Sequence, residues 1–190
     1  MRVLDVCAAP GGKTTHLAQL MENKGEIIAC DVHEHRLELI KENAQKLGIS
    51  IIKTRLQDGR ELAQSFDKEF DLVLLDAPCS GLGVLGRRAD LRWKKRRSDI
   101  GELAALQKEL LAQAQGTVKP GGTLIYSTCT TTVEEDEKNV EWFLENYEEF
   151  TLDKRISLEN GGEKTGYYKL SPLKEGTDGF FIAFFKRGES

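Results

Sequence analysis

At 190 residues the chain is sized for one domain that buries about 70% of its unfolded surface, and 39% hydrophobic with 31% charged residues excludes a disordered or fibrous chain. No run approaches the roughly 18 consecutive apolar residues of a membrane span, and Met1-Arg2 leads straight into a strand-like segment, so no signal peptide, no membrane association and a cytoplasmic location are expected. The formal charge of −4 leaves open where the charges sit, and they are unevenly distributed.

Arg2 to Cys7 reads as a short strand, and Ala8-Ala9-Pro10-Gly11-Gly12 as a tight turn of small residues. Lys13 to Asn23 has helical spacing, with Leu17, Leu20 and Met21 on one face. Strand, glycine turn and helix in that order present backbone N–H groups to an anion or cofactor. Glu26 to Asp31 is a second strand closing on an acid, and Asp31 stands 20 positions beyond Gly11. An acid at that distance binds a ribose hydroxyl in nucleotide-cofactor folds. His33 to Leu47 is an amphipathic helix (Leu37, Ile40, Ala44, Leu47) stopped by Gly48. Ile49 to Leu56 is a third strand, followed by Asp58-Gly59 and a helix around Arg60 to Phe66.

Phe70 to Asp76 is the fourth strand, and the chain is organised around it. Leu72-Val73-Leu74-Leu75 runs without alternation and stops at Asp76-Ala77-Pro78-Cys79-Ser80-Gly81, the pattern of a strand buried on both faces. In open parallel sheets ligands gather beyond the carboxyl ends of such strands, which puts Asp76 and Cys79 at the mouth of a site. Next comes RRADLRWKKRR at 87–97, with seven basic residues and one acid. Removing these from the 27 basic and 31 acidic residues of the chain leaves −10 on the remainder. A basic segment on an acidic body points to a polyanion met locally, with Arg87, Arg88, Arg92, Lys94 and Lys95 as candidate phosphate contacts. Trp93 within it could stack on a base.

Ile100 to Val118 reads as a long amphipathic helix, Lys119-Pro120-Gly121-Gly122 as a turn, and Thr123 to Cys129 as a fifth strand. Val133 to Glu148 is a helix whose acidic first turn (Glu134, Glu135, Asp136, Glu137) suits its dipole. Glu149 to Leu152 reads as a short strand and Phe180 to Lys186 as the last; residues 153–177 are polar and carry little signal. Alternating strands and helices with a hairpin-like ending predict a doubly wound α/β sheet, mostly parallel with an antiparallel strand near the C-terminus, as one domain over 1–190.

The four cysteines, at 7, 30, 79 and 129, form no CxxC pair, so neither a structural zinc site nor a deaminase-type centre is expected. Gly11-Gly12-Lys13-Thr14 before a helix invites a P-loop reading. Cys7 stands where that loop needs glycine, however, and an NTPase would leave Asp31, Cys79 and Cys129 without a role. A cofactor with a ribose and an adenine would instead meet the glycine turn, Asp31 and Asp58 along three strand ends, and S-adenosylmethionine has that shape. Strands four and five are usual neighbours in such a sheet, so Cys79 and Cys129 would face one another beside Asp76. Two thiols and a carboxylate suit methylation of cytosine at carbon 5: a thiolate adds to carbon 6, and the carboxylate holds the ring N3 and amino group. A base then removes the carbon 5 proton so the thiolate can leave. The residues alone do not decide which cysteine attacks.

DVCAAPGGKT at 5–14, DAPCSG at 76–81 and YSTCT at 126–130 resemble the Sun/Fmu-type RNA cytosine-5 methyltransferases, and GLGVLGRRADLRW at 81–93 is most similar to the 16S ribosomal RNA (RsmB) branch. The likeness runs from about residue 3 to DGFFIAFFK at 178–186. It implies a Rossmann-like class I fold, S-adenosylmethionine as cofactor and RNA, chiefly 16S rRNA, as partner. It implies that Cys129 is the nucleophile, that Cys79 releases the product, and that Asp76 also touches the base. Cys7, Ala8, Ala9, Pro10, Gly11, Gly12, Lys13, Asp31, Asp58 and Asp76 correspond to the cofactor contacts, with Arg36 near the ribose. The family's amino-terminal RNA-binding region, with a strand and helix before the glycine turn, has no counterpart here. A cofactor-binding fragment that needs a separate RNA-binding domain or chain is therefore the second expectation.

Overall fold

The computed structural model describes residues 1–94, 96–154 and 165–189; Lys95 lies outside the described residues. Among the described residues eight strands form one sheet: β1 (Arg2–Asp5), β2 (Glu26–Asp31), β3 (Ile52–Leu56), β4 (Phe70–Asp76), β5 (Val118–Thr128), β6 (Phe150–Leu152), β7 (Tyr167–Leu170) and β8 (Phe180–Arg187). Their order is β3-β2-β1-β4-β5-β8-β6, with β7 beside β6 in pairing to β8. β1 to β5 are mutually parallel, and β8 runs antiparallel to β5, β6 and β7. The chain winds outward from β1 to β3 and then returns to β4 on the other side of β1. The connections beyond β1 and β4 therefore diverge, opening a crevice at the carboxyl ends of these strands.

Alternation along the strands explains why both faces are covered. Leu4, Ile28, Cys30, Val73, Leu75, Leu124 and Tyr126 face α4 (Arg97–Ala114) and α5 (Glu137–Asn146), meeting Leu110, Leu111, Val140 and Phe143. On the opposite face Val3 and Ile27 meet Ala18 of α1 (Gly12–Leu20), while Ala29 meets Leu37 and Ile40 of α2 (Glu34–Lys46). Phe143 closes the far end of the core, its ring 4.4 Å from that of Phe185 and 5.2 Å from that of Phe150.

The predicted doubly wound sheet with an antiparallel strand near the C-terminus is observed, and β4 has the predicted bounds. Other details differ for local reasons. The first helix ends at Leu20, because Glu22 and Asn23 take φ of 52° and 56°; Leu20 is 69% exposed, and small Ala18 lies against the sheet instead. Leu47 lies beyond α2 and is likewise exposed. Lys119 to Gly122 turns as expected, with Gly121 at φ 70°, but lies inside β5: the strand starts at Val118, and the four residues sit between the Phe70–Val118 and Leu72–Thr123 pairs. α4 starts at Arg97, within the basic segment, after the short helix α3 (Leu91–Lys94). Residues 59–64 form a 3-10 turn rather than an α-helix. β7 and the short helix α6 (Pro172–Glu175) lie where the residues carry little signal.

Candidate active site

Asp76 ends β4 opposite Ser127 of β5, and the turns beyond these two residues carry Cys79 and Cys129. The two thiols meet, Sγ to Sγ 3.3 Å, and the Cys129 N–H donates to Cys79 Sγ at 3.3 Å. Behind Cys129, its carbonyl accepts the Gly83 N–H at 3.0 Å, and the Gly83 carbonyl accepts the Gly179 N–H at 2.8 Å. The hydrogen bond from the Cys79 S–H pulls the Cys129 thiol down to about 7, with Lys13 assisting while burial and Asp76 oppose. The same bond and burial push Cys79 up. The contact lets one thiol of the pair ionise while the other keeps its proton and donates to it. Burial pushes the Cys7 and Cys30 thiols up, leaving them inert near neutrality.

Asp76 is held from two sides: Lys13 Nζ lies 2.7 Å from Oδ2, and Ser127 Oγ donates to Oδ1 at 2.8 Å. Lys13 itself stands over the Phe180 ring, 5.3 Å from its centroid. This lysine is thus the link between the glycine turn and the cysteine-bearing strand end.

The turn after β1 is tied down by its own backbone and by α2. Ala8 N–H donates to Cys30 O and Gly11 N–H to Ala8 O, each at 2.8 Å, which removes two of the donors a phosphate cradle would need. Gly11 has φ of 102°, and a Cβ there would lie 3.2 Å from Ile40, so only glycine fits between turn and helix. Arg36 NH2 donates to Ala9 O at 2.9 Å, and its NH1 lies 3.4 Å from Asp31 Oδ2. Asp31 is 4% exposed and accepts the His33 N–H at 3.0 Å. Asp58 is paired with Arg60, whose hydrogen bonds hold its carboxyl below the usual range.

A cleft of about 600 Å³ runs from Asp31, Arg36 and Asp58 past Cys7 and Ala9 to Asp76, Cys79 and Cys129. A second hollow of about 220 Å³ on the other side of the turn is lined by Ala8, Pro10, Gly12 and Lys13 and shares Cys7, Ala9 and Asp76 with the first. The fold therefore gathers the residues singled out on five strand ends into one crevice, with Gly11 buried behind the turn. The basic segment is gathered less fully. Arg88 lines the cleft, but Arg87 pairs with Asp178 at 2.7 Å, and Lys94 lies 3.0 Å from Asp90. Arg92 is exposed, and Trp93 is 87% exposed.

Two parts of the site escape sequence reading. Asp5, at the end of β1, is buried beneath the second hollow, accepts Thr14 Oγ1 at 2.7 Å, and is pushed up to about 7 by burial. Its place as a strand-end acid before the glycine turn was a usable signal. Glu135 and Asp136, read from the residues as part of an acidic first turn that suits the helix dipole, precede α5 and are 0% exposed. Nothing in the spacing marks them, because their partners come from other elements.

Residues 1–186 match the family described as "16S rRNA methyltransferase RsmB/F". The chain is 41% identical over 191 residues to a probable ribosomal RNA small subunit methyltransferase B of Bacillus subtilis (strain 168), covering 97% of this chain and 43% of that protein. It is 42% identical over 182 residues to ribosomal RNA small subunit methyltransferase B of Salmonella arizonae, covering 95% of this chain and 41% of that protein. The crystal structure of NSun6 from Pyrococcus horikoshii with SFG superposes with a TM-score of 0.86 at 39% identity, covering 99% of this chain and 48% of that one. The chain thus spans about two-fifths of the length of these curated relatives. Among the described residues no helix is long and apolar enough to cross a membrane. With nearly the whole of its length matched and the same sheet underneath, the chain belongs to the 16S rRNA methyltransferase RsmB/F family.

Proposed function

We propose that this chain catalyses methylation of RNA at cytosine carbon 5, with S-adenosylmethionine as methyl donor and small-subunit ribosomal RNA as substrate class. The observation that carries the reading is the thiol pair, 3.3 Å apart beside Asp76, at the mouth of a cleft whose far end holds a buried strand-end acid. The relatives' names support the substrate class, and the nucleotide-sized cleft supports the cofactor.

The residues present fit the donor. Asp31 and Asp58 at neighbouring strand ends suit a ribose, and the small residues Ala8, Ala9 and Gly12 of the turn line the hollows beside it. These residues, with Arg36 bracing Ala9 and Asp31, would hold it, and when bound it supplies an electrophilic methyl group on a sulfonium. The remaining work belongs to the protein. Cys129 enters as the thiolate and adds to carbon 6 of the ring, making carbon 5 nucleophilic. Asp76, fixed by Lys13 and Ser127, accepts from the amino group of the base and orients the ring against Cys129, while the Lys13 ammonium beside it offsets the negative charge that develops. Once the Cys129 sulfur is covalently bound, the charge that suppresses ionisation of Cys79 is gone. Cys79 then loses its own proton to water in the open cleft and, as the thiolate, takes the carbon 5 proton while the carbon–sulfur bond breaks and returns Cys129 as the thiolate.

Incubating Cys79→Ala with S-adenosylmethionine and 16S rRNA tests this. A slowly migrating adduct on a denaturing gel is expected in Cys79→Ala and not in Cys79→Ala/Cys129→Ala. An adduct formed by Cys129→Ala instead would reverse the two roles.

A further inference from the structure

The turn that carries Cys79 and the loop that carries Cys129 are joined by one buried carboxylate. Glu135 lies just before α5, is 0% exposed, and each of its oxygens accepts two hydrogen bonds. Oε1 accepts the Ser80 N–H at 2.8 Å and Gln107 Nε2 at 3.0 Å; Oε2 accepts Ser80 Oγ at 2.6 Å and Thr132 Oγ1 at 2.8 Å. Ser80 adjoins Cys79, while Thr132 belongs to the loop after Cys129. Ser80 Oγ also meets Thr130 Oγ1 at 2.8 Å, and Gln107 of α4 donates to the Pro78 carbonyl at 2.8 Å. Residues on both sides of the thiol pair thus converge on this side chain.

We propose that Glu135 is a positioning residue, clamping the two cysteine turns so that the Cys79 and Cys129 sulfurs stay in hydrogen-bond contact. Without it, the buried Ser80 N–H loses its acceptor, an arrangement that is costly to leave, so the Pro78–Ser80 turn must move to recover one. The Ser80 Oγ–Thr130 Oγ1 contact and the Gly83–Cys129 bond also join the two segments, but the Ser80 N–H is held by Glu135. Four hydrogen bonds on one buried side chain fix both segments at once. The inference rests on the reading of Cys79 and Cys129 as the reacting pair.

The test is the pH titration of thiolate absorbance in the full chain, where Cys7 and Cys30 stay protonated near neutrality. The groups facing Cys129 are Cys79, Asp76 and Lys13, with Arg88 lining the same cleft, and all are retained in the variants. In Glu135→Ala the midpoint near 7 should rise by about one pH unit, a roughly fivefold loss of thiolate at pH 7, and Glu135→Gln should restore part of it. Thr132→Val removes one of the four bonds without changing size, and should shift the midpoint in the same direction by less, even if Glu135→Ala does not fold. A midpoint unchanged in the folded variants, whatever their melting temperature, overturns the clamp and leaves Glu135 purely structural. A wild-type chain with no thiol titrating near neutrality would overturn both the thiol-pair reading and this inference. A wild-type midpoint near 7 that the variants keep would overturn this inference alone.

Discussion

Gly83 offers the sharpest test of how the cysteine loop is supported. A methyl group there would overlap the Gly179 carbonyl oxygen and lie 2.7 Å from Gly179 C and 2.8 Å from Cys129 O, all backbone atoms that cannot swing aside. Forcing a methyl into such a site costs ~1–3 kcal/mol. The Gly83 N–H to Cys129 O and Gly179 N–H to Gly83 O bonds are at stake as well, at about 1 kcal/mol each. Gly83→Ala should therefore lose about 2–4 kcal/mol, a fall in melting temperature of about 5–15 °C for a domain this size. Gly86→Ala, three residues on, is the internal control, since its Cβ would meet nothing within 4 Å. Urea unfolding of both variants beside the wild type gives the two differences. A Gly83→Ala chain within 0.5 kcal/mol of Gly86→Ala would refute the close packing of Gly83 on Gly179, and with it the support proposed for Cys129.

Asp5 makes a pH prediction. Its carboxyl ionises at about 7 in the folded chain against 3.8 as the ordinary value, so between these the folded chain keeps a proton the unfolded chain has released. Its contribution to stability is complete below about pH 4, declines as pH rises to about 7, and is level above. Asp5→Asn should thus gain on the wild type by roughly 1–4 kcal/mol between the two ends of that window in urea unfolding, and an equal gap at both ends would refute the burial argument. For RNA, replacing Arg88, Arg92 and Lys94 with serine should flatten the salt dependence of binding by about 0.7 in log–log slope for each lost phosphate contact on single strands. Arg87→Ser should change the slope less, since Asp178 pairs with Arg87 alone at 2.7 Å, whereas Arg88 and Lys94 share Asp90 at 3.8 Å and 3.0 Å. An unchanged slope in the triple variant would place the RNA path away from this segment.

Much of the site was legible because strand ends announce themselves. Asp31, Asp76 and Cys129 each sit where an apolar run stops, and in a parallel sheet those stops fall on one edge. Helix faces were read less well: Leu20 and Leu47 fit the period but fall beyond the buried part of their helices. The basic segment was legible as charge and not as geometry, since its neighbours Asp90 and Asp178 decide which cations remain available.

What the residues determine by themselves is local and one-dimensional. Apolar runs, glycine turns and acids at strand ends specify β1 to β5, their parallel winding and the side of the sheet on which chemistry gathers. Tertiary structure alone decided what depends on distance between remote segments. The 3.3 Å thiol contact spans 50 residues, the Lys13–Asp76 pair 63, and Glu135 reaches Ser80 across 55. Hydrogen bonds and thiol acidity change steeply over a fraction of an ångström, whereas sequence patterns record only which face a residue belongs to. The same acidic stretch, Glu134 to Glu137, therefore reads as a helix start suited to its dipole and folds with Glu135 buried between the cysteine loops.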